Sequence, residues 1–220
     1  MRIRRKKHLA ERLEIVSDYL IVPSRDIVNV LEAVKDKQYF DYNEIFGNSN
    51  PIELEIGCGK GGFIVQKAEQ NQNINFLAVE LLENIIVMAA ENAKNKNLKN
   101  VKFINSGAEY LPRYVKEKSV QNIYLNFLPP FPKDGYENRR LTSDWYMNAY
   151  KSFLIDGGCV YQKTDDEQFF NYSKSKFVEF GFDVVDNTDL ISGDSKNIMT
   201  EYERKFVALG MKVFSLIAKK

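Results

Sequence analysis

From residue 52 onward, apolar runs of strand length alternate with segments of helix length. This alternation is typical of βαβ units, in which helices connect parallel strands and cover both faces of a sheet. Strands are predicted over residues 52–56, 75–80, 101–105, 120–127, 160–164, 182–187 and 211–218. Helices are predicted over residues 61–70, 83–95, 143–154, 168–180 and 201–208. The pattern predicts an α/β, Rossmann-like domain over residues 51–220, preceded by a helix-rich extension over residues 1–50.

Glycines and hydroxyl residues indicate where some of these elements begin and end. Thr142 or Ser143 is expected to cap the helix that follows it, because both side chains accept hydrogen bonds from free N–H groups at a helix start. The Asp-Gly-Gly sequence at residues 156–158 is typical of a turn, and we expect it to end that helix.

The cysteine and histidine content excludes several kinds of chemistry. Cys58 and Cys159 lie far apart in the sequence, and His8 is the only histidine in 220 residues. A zinc framework and a histidine-centred catalytic triad are therefore not expected. The basic N-terminus is followed by neither a signal-peptide pattern nor a membrane-spanning run, so we expect a soluble cytoplasmic protein.

Charge alone does not indicate a nucleic-acid partner, because the formal net charge is only +1. Two local clusters are basic, one over residues 2–7 and one formed by Lys133, Arg139 and Arg140. Such clusters either bind phosphates or form ordinary solvated surface, and the sequence leaves both possibilities open.

Polar residues concentrate at the carboxyl ends of the predicted strands, where open α/β sheets bind their ligands. These strand ends carry Glu55 and Gly57, Glu80, the Asn-Ser-Gly sequence at 105–107, the Asn-Phe-Leu-Pro sequence at 126–129 and the Lys-Thr-Asp sequence at 163–165. The sequence therefore predicts a ligand site at these ends.

The first strand leads into a glycine-rich turn that matches the G-x-G-x-x-G pattern through Gly57, Gly59 and a third glycine at 62. The turn alone is a weak signal, since a tight strand-to-helix connection without a ligand is an alternative. A carboxylate at Glu55 would repel a pyrophosphate but attract the ammonium and sulfonium of S-adenosylmethionine. Glu80, which ends the second strand, is suited to binding the ribose hydroxyls. We therefore expect a site for S-adenosylmethionine.

Five motifs make the chain resemble one family, the bacterial tRNA (guanine-N7-)-methyltransferases. They are EIGCGKG at residues 55–61, LNFLPPFPK at 125–133, RRLT at 139–142, KTD at 163–165 and NIMTEYE at 197–203. The resemblance implies a class I methyltransferase fold with a mostly parallel seven-stranded sheet and an antiparallel last strand. It further implies methyl transfer from S-adenosylmethionine to guanine N7 in the variable loop of tRNA, by a monomer or homodimer without an obligatory protein partner.

The resemblance also implies roles for individual residues. The cofactor would be bound by Glu55, Gly57, Gly59, Glu80, Gly107 and Ala108. The substrate would be bound by Lys133, Asp165, Thr200, Glu201, Tyr202 and Glu203, and Asn126 and Asp165 would be the catalytic residues.

Two positions depart from the family pattern. The family usually has an acid after the third strand, where this chain has Gly107 and Ala108, so Glu109 could contact the adenine instead. Pro129 replaces an aspartate that is regarded as catalytic in the family. Its loss predicts methyl transfer slowed by about 10²–10³-fold, the effect of removing one electrostatic stabiliser.

Alternatives remain at this stage. Asp165 could cap the following helix, and Glu201 and Glu203 could only complement a helix dipole. The whole chain could be a degenerate, non-catalytic RNA-binding relative. It could also be an amino-group nucleic-acid methyltransferase, although Leu128 replaces the polar residue which that chemistry needs.

Overall fold

The computed structural model describes residues 7–24, 29–188 and 197–220. The chain divides into two compact units, the first ending at Val115 and the second beginning at Lys116. Within the described ranges, no helix is both long enough and apolar enough to cross a bilayer.

In the first unit, residues 7–24 and 29–115 form four strands and six α-helices. The strands are β1 (Leu20–Ile21), β2 (Ile52–Ile56), β3 (Asn75–Glu80) and β4 (Val101–Asn105). The helices are α1 (Leu9–Ile15), α2 (Val30–Ala33), α3 (Tyr42–Phe46), α4 (Gly62–Gln70), α5 (Glu83–Asn95) and α6 (Leu111–Tyr114). The strand order is β1-β4-β3-β2, and all neighbouring strands of this unit are parallel.

Burial explains why the strands of the first unit are apolar. Every residue of β2 is buried, and only the last residue of β3 is partly exposed. Strands covered on both faces exclude most polar side chains, so Glu53 and Glu55, which are 3% and 2% exposed, are exceptions within β2. Helix α1 is joined to α5 by a bidentate ion pair between Arg12 and Glu91, with both N–O distances at 2.6 Å.

The described residues of the second unit form four strands and three α-helices. The strands are β5 (Val120–Asn126), β6 (Leu154–Thr164), β7 (Asp183–Asp186) and β8 (Phe214–Lys219). The helices are α7 (Asp144–Phe153), α8 (Glu167–Glu179) and α9 (Glu201–Ala208). The order is β5-β6-β8-β7; β5 and β6 are parallel, and β8 runs antiparallel to both of its neighbours.

The α/β fold and the antiparallel last strand are confirmed, but the predicted count of seven strands is wrong. The described residues form eight, because β1 lies in the N-terminal segment and pairs with β4 through Leu20 and Phe103. Two residues are too short a run to show a period in the sequence. The division into an extension over residues 1–50 and a domain over residues 51–220 stays a prediction.

The predicted turn at residues 156–158 is also wrong, since β6 runs through it. Helix α7 ends at Phe153 instead. A Cβ on Gly158 would lie 2.7 Å from the carbonyl oxygen of Gln121, so glycine is needed there for the close approach of β5 and β6. The pairing register of these strands shifts between Val120 and Asn122, as at a bulge.

Candidate active site

The glycine-rich turn between β2 and α4 is tied to the end of β3. The N–H groups of Gly57 and Cys58 both donate to the carbonyl of Val79, at 2.9 and 3.0 Å. Gly57, Gly59 and Gly61 all have positive φ angles, of 76°, 55° and 77°. Glycine adopts these angles without the steric cost that other residues incur, so the sequence supports a sharp turn whose backbone lies against β3.

Glu80, the last residue of β3, is held by this turn. Its Oε2 accepts the N–H of Gly59 at 3.3 Å, and its Oε1 accepts the N–H of Leu82 at 2.9 Å. A carboxylate has about four lone-pair positions, so these two bonds orient the group and leave acceptor capacity on each oxygen. A pair of ribose hydroxyls is the kind of ligand that such an oriented carboxylate can bind.

Two carboxylates act electrostatically on the glycine-rich turn. Burial raises the pKa of the Cys58 thiol well above its ordinary value, and the nearby carboxylates of Glu55 and Glu80 raise it further. A field that disfavours a thiolate also disfavours a phosphate and favours a cation. The thiol therefore stays protonated near neutral pH, and the turn suits a positively charged ligand.

The end of β4 lies beside the end of β3, where Glu80 is located. The side-chain amide of Asn105 donates to the carbonyls of Glu80 and Leu81, both at 3.1 Å. Gly107 is buried, and Ala108 begins a 3₁₀ turn. A Cβ on Gly107 would come within 2.6 Å of the carboxylate of Glu109, which therefore folds back over this glycine. The carboxylate of Glu109 thus lies next to Gly107, at the end of β4.

In the second unit, the loop after β5 has an unusual backbone. Asn126 is buried, and Phe127 and Phe131 have positive φ angles of 50° and 44°. A bulky residue in this region is strained unless its surroundings hold it. The N–H of Phe127 donates to the carbonyl of Lys163 at 2.8 Å, and the guanidinium of Arg140 donates twice to the carbonyl of Phe131 at 3.2 Å.

Asp165 is exposed and does not cap helix α8. The cap is Asp166, whose Oδ1 accepts the N–H of Phe169 at 2.7 Å. Thr164 supports the cap, because its hydroxyl accepts the N–H of Asp166 at 3.1 Å. Among the residues that the structure describes, none hydrogen-bonds to the Asp165 carboxylate, so this group is available to accept hydrogen bonds from a ligand.

The predicted substrate residues at the start of α9 differ sharply in exposure. Thr200 and Glu203 are buried and form a capping box, in which the N–H of Glu203 donates to the Thr200 hydroxyl at 2.9 Å. Glu201 is exposed, and Tyr202 is 61% exposed with its ring stacked on Phe127 at 6.3 Å between centroids. Glu201 and Tyr202 therefore present side chains to solvent.

Lys133 lies in the exposed, basic and aromatic loop before α7. The guanidinium of Arg139 lies over the rings of Phe131 and Tyr136, at 5.0 and 5.3 Å from their centroids. Stacking of this kind fixes the direction of a cation that is otherwise solvated. The loop thus has the composition of a phosphate-binding surface.

Sequence reasoning missed the role of two residues near α9. The ammonium of Lys163 is buried against Glu203, and Asn197 hydrogen-bonds to both groups. In the sequence, Lys163 stands out only as part of a motif. The available signal was a lysine inside the strand predicted over residues 160–164, since lysines are rarely buried unless they are paired.

Comparison with known proteins identifies the class to which this fold and site belong. Residues 49–216 match the model of a family described as "Putative methyltransferase". The 16S rRNA methyltransferase KamB shares the fold with a TM-score of 0.59 at 14% identity, over 83% of this chain and 94% of that chain. A SAM-dependent methyltransferase from Aquifex aeolicus gives a TM-score of 0.53 at 12% identity, over 97% and 99%. The protein is a methyltransferase.

Sequence relatives narrow the class further. A tRNA (guanine-N(7)-)-methyltransferase of Clostridium tetani is 42% identical over 80% of this chain and 84% of its own length. Enzymes of the same name are 36% identical in Geobacillus sp., over 97% and 93%, and in Clostridioides difficile, over 100% and 99%. The chain belongs to the tRNA (guanine-N7-)-methyltransferase family.

Proposed function

We propose that this protein transfers a methyl group from S-adenosylmethionine to N7 of a guanine in the variable loop of tRNA, in the cytoplasm. The observation that carries the proposal is similarity over almost the whole chain to enzymes named for this reaction. The first unit supplies residues suited to the cofactor, and the second supplies an exposed carboxylate and a basic loop suited to the nucleotide.

The residues of the first unit fit the cofactor. Glu80 would bind the ribose hydroxyls with the acceptor capacity left by its two backbone hydrogen bonds. Glu55 and the turn at Gly57 and Gly59 would hold the positively charged methionine part, which the nearby carboxylates favour. Glu109 would accept from the adenine amino group. When bound, S-adenosylmethionine supplies a methyl carbon activated by a positively charged sulfur.

The acceptor atom determines what the second unit must do. Guanine N7 has an in-plane lone pair and carries no proton, so methylation needs no general base. The protein has to orient the purine and stabilise the positive charge that it gains. We propose that Asp165 accepts hydrogen bonds from the N1 and N2 protons of guanine, and that Asn126 and the following loop shape the pocket. Lys133 would contact a phosphate.

We propose that the reaction can proceed without the family aspartate, because guanine N7 carries no proton that has to be removed. Pro129 removes one carboxylate from the acceptor side, which reduces electrostatic stabilisation but takes away no required proton acceptor. Transfer to an amino group is disfavoured, because it needs a polar residue at the position of Leu128, whose side chain is buried.

The direct test is nucleoside analysis of bulk tRNA after incubation with the protein and S-adenosylmethionine. We expect 7-methylguanosine. Methylated adenine or cytosine would instead support amino-group transfer, and cofactor binding without any transfer would support a degenerate RNA-binding relative.

A matched pair of variants tests the cofactor residues. Glu80→Gln should weaken the affinity for S-adenosylhomocysteine in calorimetry, because it loses the charge at the ribose position. Glu69→Gln removes an exposed carboxylate that pairs with Lys96, and it should leave the affinity unchanged. Equal affinities for both variants would rule out the proposed role of Glu80.

A further inference from the structure

Lys163 forms the centre of a buried polar network in the second unit. Its Nζ lies 2.8 Å from Oε2 of Glu203, 2.5 Å from Oδ1 of Asn197 and 3.2 Å from the carbonyl oxygen of Ile198. The side chains of Lys163 and Glu203 are only 10% and 2% exposed. Buried charges persist in proteins when they are paired and hydrogen-bonded, as here.

The carboxylate of Glu203 is fully engaged inside the protein. Its Oε1 accepts the side-chain amide of Asn197 at 2.7 Å, and its Oε2 accepts both the Lys163 ammonium and the N–H of Thr200, the latter at 3.3 Å. A group with these partners and 2% exposure has little capacity left for a nucleobase. The carboxylate therefore has a structural role, in which it binds donors within the protein.

The network fixes the first turn of α9 relative to the loop after β5. The ammonium of Lys163 holds Glu203 in α9, and the carbonyl of Lys163 accepts the N–H of Phe127 at 2.8 Å. Phe127 has a φ of 50°, and its ring stacks on the exposed ring of Tyr202. One residue of β6 therefore contacts both the strained loop and the helix whose aromatic ring covers it.

We infer that Lys163 is a positioning residue for the methyl acceptor, holding Tyr202 and the loop after Asn126 in place through Glu203, and that Glu203 does not contact guanine. This rests on the proposed function. It assigns the recognition of the base to the exposed Asp165 and the placement of the base to the buried pair.

Lys163→Met is the informative variant, because it leaves the Glu203 charge buried without its main partner. We expect kcat/KM for tRNA to fall about 10²-fold, the effect of a small misplacement of reacting groups, with a higher KM for tRNA. The affinity for S-adenosylhomocysteine should not change. A loss of folded protein alone would lower kcat and leave both KM and cofactor affinity as they were.

A double-mutant cycle distinguishes positioning from contact. If Glu203 acts through Lys163, the double variant Lys163→Met/Glu203→Gln should lose no more activity than Lys163→Met alone. Introducing Tyr202→Ala into either of these variants should then lower the activity only slightly further. If Glu203 binds guanine directly, the two losses should multiply. Lys174→Met is the control, because it breaks an exposed ion pair with Asp186 and should leave every quantity unchanged.

Hydrogen exchange provides a readout that does not depend on tRNA. Amide exchange in α9 should accelerate in Lys163→Met, while exchange in α4 and β2 stays as in the wild type. Unchanged exchange in α9 together with unchanged kinetics would overturn the inference, and so would multiplying losses in the cycle. A wild-type protein that forms no 7-methylguanosine would instead refute the proposed function itself.

Discussion

The glycine-rich turn contains two glycines that an alanine should affect in different ways. Gly61 has a φ of 77°, and a Cβ added to it would lie 2.8 Å from the Cβ and 3.1 Å from the Cα of Ala89 in α5. Gly59 has a φ of 55°, but among the described residues other than its two chain neighbours, no atom lies within 4 Å of the position of its Cβ. Both substitutions therefore strain the backbone, but only Gly61→Ala also produces a steric clash.

The two contributions can be given magnitudes. A left-handed conformation costs an L-residue about 1–2 kcal/mol, and overpacking a close contact costs about 1–3 kcal/mol. The free energy of unfolding should therefore fall by about 2–5 kcal/mol in Gly61→Ala but by about 1–2 kcal/mol in Gly59→Ala. Since total stabilities are about 5–15 kcal/mol, the first change is large enough to measure with confidence.

Urea denaturation followed by circular dichroism gives both values, provided that the m-value stays constant. Gly59→Ala should weaken cofactor affinity more than Gly61→Ala does, because Gly59 carries the proposed cofactor contact and Gly61 packs against α5. Removing the Ala89 methyl in Gly61→Ala/Ala89→Gly should recover part of the stability, although the backbone of α5 stays close to the added methyl. Equal destabilisation by the two single variants would refute the assignment of the clash.

Three further predictions concern single side chains. Asp165→Ala should leave stability unchanged but lower tRNA methylation, whereas Asp166→Ala should cost about 1 kcal/mol as a lost helix cap; thermal denaturation and methyl-transfer assays separate the two. Pro129→Asp should raise kcat by up to about 10²–10³-fold, which single-turnover kinetics would reveal; no gain would mean that the loop does not direct this position at the acceptor. Burial raises the pKa of Cys58 in the folded state. The thiol's contribution to the free energy of unfolding should therefore be complete below the unfolded-state pKa of about 8.5, and it should be lost as the pH rises from there toward the folded-state pKa. Cys58→Ala should remove that part of the alkaline decline, and iodoacetamide at a pH of about 8 should label the partly exposed Cys159 in preference to the buried Cys58.

Much of the fold could be predicted because buried parallel strands are almost continuous apolar runs. Strands β2, β3 and β4 and helices α5 and α9 have the predicted bounds. Strand β1 could not be predicted, since its two residues become a strand only by pairing with β4. Its existence depends on tertiary structure, and a local pattern carries no information about it.

Glycine is ambiguous for a related reason. At Gly61 it permits a positive φ, whereas at Gly158 it permits the backbone of β5 to approach. Both uses look alike in a sequence, and a turn is the more usual one. Residues 156–158 contain both uses, because Gly157 has a φ of 81° and Gly158 packs against the backbone of β5, and the predicted turn is wrong because the segment continues as β6.

The carboxylates of the acceptor side show the same limit for function. Asp165, Asp166, Glu201 and Glu203 are all acids near the start of a helix, and the sequence gives each the same possible roles. The structure separates them by what surrounds them: Asp166 caps α8, Glu203 is neutralised by Lys163, and Asp165 stays exposed. An acid that already satisfies an internal donor or cation has less capacity for a substrate. This difference in surroundings is the reason for proposing Asp165 as the acid that binds guanine and Glu203 as the acid that positions Tyr202.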